Sequence, residues 1–269
     1  MFRKFINKFK TKKITEIFPH QICNVSKLPI PMKDNFLFKV SEICAKESNE
    51  EKAWELSKKI LNTKSINVNN LSEFYNTDSK ILSNYSADVN FLPWIHFRPT
   101  QFKDGFFKIF DDEKYQYVQF KKVFDLVQSI IKYGYLPEKF KTRQGGISGY
   151  FLLKDNKKVF YVVSGNHRVA ALSCLFPNKK IPVVFESLIN PKKVEFEGTS
   201  FEKSRIHPEY FSYDEVGSWP SVKSGFIDEN CAKVIFLTYF KGINFREESL
   251  TDFIEKKVGI FQNSDKILK

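Results

Sequence analysis

The residues best suited to chemistry in this chain lie together at Ser164-Gly165-Asn166-His167-Arg168. They follow the apolar run Phe160–Val163 and precede Val169-Ala170-Ala171-Leu172, so a strand should end where a helix begins. The first turn of a helix leaves backbone N–H groups without intrahelical partners, and the helix dipole adds partial positive charge there. A strand–Gly–helix junction is therefore a natural cradle for a phosphate group. Gly165 lets the backbone approach closely. Ser164 and Asn166 supply polar groups that can bond oxygen, His167 adds a ring nitrogen, and Arg168 adds a guanidinium suited to bidentate phosphate contact. The alternative for the same string is a capped helix whose arginine pairs with a neighbouring carboxylate.

A reaction at such a site would also need a base. Asp111, Asp112 and Glu113 are the candidates, just ahead of a long helix, where acidic residues are equally well explained by the helix dipole. His96 and His207 are further candidates, and Asp125 falls on a polar helix face. Trp219, in Val216-Gly-Ser-Trp-Pro220, could stack on a sugar or base, or could pin a turn from within the core. Cys23, Cys44, Cys174 and Cys231 are scattered without a Cys-x-x-Cys pair. That spacing argues against structural zinc and for buried small side chains in a reducing, cytoplasmic setting.

Several elements must position these residues. Phe120 to Tyr133 has the helical stripe Phe120, Val123, Phe124, Val127, Ile130 and Ile131, with Gly134 as a left-handed terminator. After the Gly145-Gly146 loop come two strands, 149–153 and 158–163, joined by a turn at Asp155-Asn156. A helix from 166 to 176 and a strand, Ile181–Phe185, follow. Upstream, 50–61 reads as a helix within otherwise irregular sequence, and Leu92 to Thr100 as a proline-bracketed extended segment. Downstream, 206–240 reads as a helical block ending in Glu229–Phe240, and 249–269 as a last helix and tail. The division expected is 1–90, an N-terminal extension; 91–188, the core domain; and 189–269, a helical appendage.

The 269 residues carry 43 Lys and Arg against 31 Asp and Glu, a net charge of +12. Half of that excess sits in residues 1–13. There Phe2, Phe5, Ile6 and Phe9 share one helical face opposite Arg3 and the lysines. This is the pattern of a basic amphipathic helix, which could meet an anionic membrane surface or pack on its own domain. Elsewhere lysines alternate with carboxylates, so the charge alone does not specify a nucleic-acid partner.

The order of motifs resembles the ParB/sulfiredoxin superfamily over roughly residues 92–187. A helix ending in Leu-Val-x-Ser-Ile-x-x-x-Gly (126–134) leads through two strands to Ser-Gly-Asn-His-Arg, a helix and Ile-Pro-Val-Val-Phe. ParB-like domains carry Gly-Glu-Arg-Arg at the corresponding place, and sulfiredoxins Gly-Gly-Cys-His-Arg. The resemblance implies an α+β fold: a small mixed sheet flanked by helices, with helical N- and C-terminal extensions. It implies a nucleotide (ATP, ADP or CTP), with Mg2+, whose phosphates meet Gly165, while His167 and Arg168 match the family's basic pair. Arg98 would correspond to an upstream nucleotide-contacting box. Asn166 stands where sulfiredoxins have their nucleophilic cysteine and ParB an acidic residue, which removes sulfinic-acid repair.

A branch of small-molecule kinases with this fold fits better, and it keeps an acidic residue near 111–113. The block around Trp219 resembles a segment of ParB-like proteins encoded among surface-polysaccharide functions. The expectation is thus a cytoplasmic nucleotide-binding phosphotransferase acting on a small polar acceptor in cell-surface glycan synthesis. The alternatives are a ParB-like DNA-binding regulator and a non-catalytic scaffold held at the membrane through residues 1–13.

Overall fold

A computed structural model describes residues 14–24, 28–29, 32–62, 68–101, 112–135, 146–185, 195–196, 199–200 and 209–241. The expectations for 1–13, the 249–269 tail, Asp111 and His207 lie outside those residues. The fold is α+β, with a small mixed sheet between two sets of helices. Among the described residues no helix is long and apolar enough to cross a membrane.

The longest hairpin of the sheet joins β2 (Ser148–Lys154) to β3 (Lys157–Ser164), antiparallel from Lys154↔Lys157 to Ser148↔Ser164. Asp155 and Asn156 turn it with φ of 48° and 59°, the two successive positive values of a type I′ turn. At the far end the register slips between Ser148 and Gly149, a bulge whose extra residue, Val163, lies on β3. Gly149 is required there, because a Cβ would lie 1.9 Å from the Tyr161 carbonyl oxygen.

Edge strand β1 (Ile14–Ile17) runs antiparallel to β4 (Ile181–Phe185), and β4 runs parallel to the start of β2. Further along the same edge of β2, β5 (Tyr210–Ser212) is also parallel, with Phe151 opposite Tyr210. Residues 206–240, read as helical, therefore give the sheet a strand before continuing through a 3-10 turn at 213–218 into α6 (Pro220–Lys223) and α7 (Glu229–Phe240).

Beside β3, Cys23 N–H donates to the Phe160 carbonyl at 3.1 Å. The buried side chain of Asn24 accepts from Val162 N–H at 2.7 Å and donates to the Val162 carbonyl at 3.1 Å. One amide side chain thus pairs with the β3 backbone as another strand would.

Alternation along β2 and β3 sends side chains to opposite faces. Phe151, Phe160 and Val162 join one core, with α1 (Phe36–Lys46), α2 (Glu50–Asn62), α4 (Glu113–Tyr133) and α5 (Asn166–Leu175). Tyr150, Leu152 and Tyr161 join the other, with α3 (Leu71–Tyr75), Trp94, Trp219 and α7. Residues 14–62, expected as an extension, supply an edge strand and two helices to the first of these cores.

The segment from Leu92 is turned rather than extended. Pro93 occupies a turn whose ends meet as the Ile95 and His96 amides donate to the Leu92 carbonyl at 2.9 and 2.8 Å. Its fixed φ favours such a turn as readily as an extended stretch.

α4 begins two turns earlier than its apolar stripe suggests, because Asp112 caps it and Gln116 and Gln119 occupy core-facing positions. At its other end Ile131 is 54% exposed, since one residue past Ile130 rotates it off the buried stripe. Gly134 ends α4 with φ 76° and ψ 174°, a positive φ outside the left-handed helical basin.

Candidate functional site

β3 leads straight into α5. Val163 and Ser164 are exposed at the strand's end, and Gly165 makes the corner with φ 94° and ψ 24°. No side chain caps α5, and its first hydrogen bond runs from Val169 N–H to the Gly165 carbonyl at 2.9 Å. A Cβ on Gly165 would lie 3.0 Å from Ile147 Cα and 3.1 Å from the Gly146 carbonyl oxygen. The glycine is therefore fixed by two demands within the protein, a left-handed backbone and close passage of the segment entering β2.

Asn166, His167 and Arg168 form the first turn of α5, all partly buried. His167 reaches across to α4, where its Nε2 lies 2.9 Å from Gln119 Oε1. With that oxygen as acceptor, the ring carries its proton on Nε2. Burial lowers the His167 pKa to about 4, and Lys122 and Arg168 push it the same way. The ring is neutral at physiological pH, so Arg168 is the only cation in the first turn of α5.

Arg168 Nη1 donates to the Gly146 carbonyl at 3.2 Å. It is also close enough to Tyr135 for its charge to act on that phenol, which burial shifts upward. Among the described residues Arg168 makes no salt bridge, so none of them supplies the carboxylate of the alternative reading.

The acid candidates have other work. Asp112 Oδ1 accepts from Tyr115 N–H at 2.9 Å as the cap of α4. Glu113 pairs with Lys58 at 2.5 Å while 63% exposed. Gln119, which meets His167, is seven residues beyond Asp112, a rise of about 10 Å along α4. Asp125 pairs with Lys121 at 2.7 Å. His96 Nδ1 accepts from Leu92 N–H at 3.0 Å, inside its own turn. Arg98 is exposed at a bend.

Trp219 does not offer a stacking face to a ligand. It is 3% exposed, stacked on Phe236 at 5.3 Å and edge-on to Trp94 at 5.7 Å. Of the cysteines, Cys23, Cys44 and Cys231 are buried and Cys174 is partly so. Burial raises all four thiol pKa values, Cys44 to about 12 and Cys174 to about 11, which leaves them protonated and poorly nucleophilic.

The junction thus assembles residues that the sequence singled out with others that it did not. Gln119, Tyr135 and Gly146 belong to the second group. Gln119 had one readable signal, a polar residue on the apolar stripe of its helix when the stripe is extended back from Phe120.

Compared with family models, curated proteins and solved structures, the chain matches none.

Proposed function

We propose that this chain is a nucleotide-binding protein with a ParB/sulfiredoxin-like core, and that it holds the ligand's phosphates at the β3–Gly165–α5 junction. The observation that carries this reading is the uncapped start of α5 beside a first-turn arginine without a carboxylate partner among the described residues. Such an end has backbone N–H groups, dipole and guanidinium charge of one sign. The order helix, hairpin, glycine corner, helix and strand, with β4 parallel to β2, supports the superfamily reading of residues 92–187.

The reaction proposed is phosphoryl transfer to a small polar acceptor in cell-surface glycan synthesis. Among the described residues no three His, Cys, Asp or Glu side chains gather as a metal cluster. A Mg2+ ion would be held chiefly by the nucleotide's own phosphates, as is common for that ion. Electrostatic positioning is then the contribution of α5 and Arg168, and the neutral His167 adds no second positive charge.

Calorimetric titration with ATP, ADP and CTP tests the reading. The wild type binds at least one of them, and Arg168→Ala weakens that binding by roughly tenfold to a hundredfold, the scale of a charge-assisted hydrogen bond. Absence of binding by the wild type to all three contradicts it.

A further inference from the structure

Residues 1–13 carry a pattern that the phosphate-binding reading leaves unused. They hold six cations, Arg3, Lys4, Lys8, Lys10, Lys12 and Lys13, and no acid. At helical spacing Phe2, Phe5, Ile6 and Phe9 fall within an arc of about 100°, and Arg3, Lys4, Lys8 and Lys10 fall outside it. A narrow apolar stripe flanked by lysines is suited to lying in a membrane interface.

The fold fixes where this segment joins the body. β1 begins at Ile14 and is the edge strand of its sheet, hydrogen-bonded to β4 along one side. Phe9 is five residues before Ile14, so the stripe is tethered within about 17 Å of β1. The register pairs Ile17 with Ile181, which brings the turn before β4 to the end of β1. Lys179 and Lys180 are exposed in that turn. The Lys180 ammonium lies 5.5 Å from the Phe18 ring, and that of Lys179 4.9 Å from the Phe176 ring. Neither lysine forms an ion pair among the described residues. Against them β1 exposes one carboxylate, that of Glu16.

Charge decides between the surfaces that the segment can meet. Folding it back on the β1 edge brings its cations toward Lys179 and Lys180, so this edge is a poor partner. A nucleic acid would satisfy the lysines and leave four apolar side chains in water. An anionic bilayer satisfies both, with lipid phosphates for the lysines and the acyl boundary for the stripe. We propose that residues 2–13, together with Lys179 and Lys180 beside β1, form a surface that attaches this protein to anionic membranes. The inference is independent of nucleotide binding at α5.

Co-sedimentation of the full chain with vesicles tests it, using phosphatidylcholine alone and phosphatidylcholine mixed equally with phosphatidylglycerol. Wild type should sediment with the mixed vesicles and stay in solution with the neutral ones. Phe5→Ser combined with Phe9→Ser should weaken that binding roughly a hundredfold, about tenfold for each ring withdrawn from the interface. Lys179→Glu combined with Lys180→Glu should weaken it by at least about tenfold. Both variants should melt at the wild-type temperature. A stripe that packs on its own domain gives a different result, a lower melting temperature in the phenylalanine variant with vesicle binding intact. Binding that survives in that variant overturns the inference, and so does a wild type that ignores the mixed vesicles. In the second case a gel shift on duplex DNA shows whether the basic charge serves nucleic acid instead. An edge variant that binds like wild type removes Lys179 and Lys180 from the surface.

Discussion

His167 should make the fold sensitive to acid in a window set by its surroundings. The perturbation is a fall in pH from 7 to 4 in phosphate-free buffer, for wild type and for His167→Gln. Burial of the ring, with Lys122 and Arg168 nearby, depresses its pKa from 6.5 to about 4 in the folded chain. In the unfolded chain the ring takes up a proton near pH 6.5, whereas the folded ring resists until about pH 4. Between those values the unfolded state binds more protons, so stability falls as pH falls. The contribution is intact above about pH 6.5 and largely gone by pH 4. At 1.36 kcal/mol per unit, that shift corresponds to about 3 kcal/mol.

Urea unfolding at intervals across the range measures this for both proteins, and the difference cancels the other titrating groups. Wild type should be the more stable at pH 7, by about 1 kcal/mol for the lost bond to Gln119. It should then lose about 3 kcal/mol more than the variant on reaching pH 4. A stability difference that stays constant with pH, or an imidazole resonance titrating near 6.5 in the folded protein, would refute the argument.

Two other substitutions test the packing around the same strand. Gly165→Ala combines a left-handed backbone with Cβ contacts of 3.0–3.1 Å to the Gly146–Ile147 backbone, so it should cost at least about 2 kcal/mol in chemical denaturation. Unchanged stability would mean that the corner relaxes freely. Asn24→Ala removes both side-chain bonds to Val162 and leaves a buried strand amide unpaired. The expected loss is about 2–3 kcal/mol, with faster hydrogen exchange at Val162, and normal protection of that amide would contradict the strand-like role of Asn24.

What the sequence made legible was local. The hairpin turn at Asp155-Asn156 needs two residues that tolerate positive φ, and both are of that kind. Glu229–Phe240 and Ile181–Phe185 stand where their apolar content puts them. The long-range pairings were not legible. Ile14–Ile17 meets β4 across more than 160 residues, and Tyr210–Ser212 spans only three residues, too few for a period to show.

Side-chain roles divided in the same way. Asn24 works as a strand mimic through a contact 138 residues distant, which no local pattern announces. Gln119 interrupts an apolar stripe with His167 as its partner, and the reading of the stripe from Phe120 onward stopped one residue short of it. Trp219 carries a large apolar surface that the second core absorbs, and its flanking Gly and Pro describe a turn without showing which way the ring points.

The most direct measurement is a 1H–15N spectrum of the protein titrated with ATP, ADP or CTP. The backbone amides of Gly165, Asn166 and His167 should move farthest, together with the Arg168 side chain, because an anion there accepts from those groups. Shifts confined to other parts of the chain, with the amides at the start of α5 unmoved, would contradict the claim that this junction is where the ligand's phosphates sit.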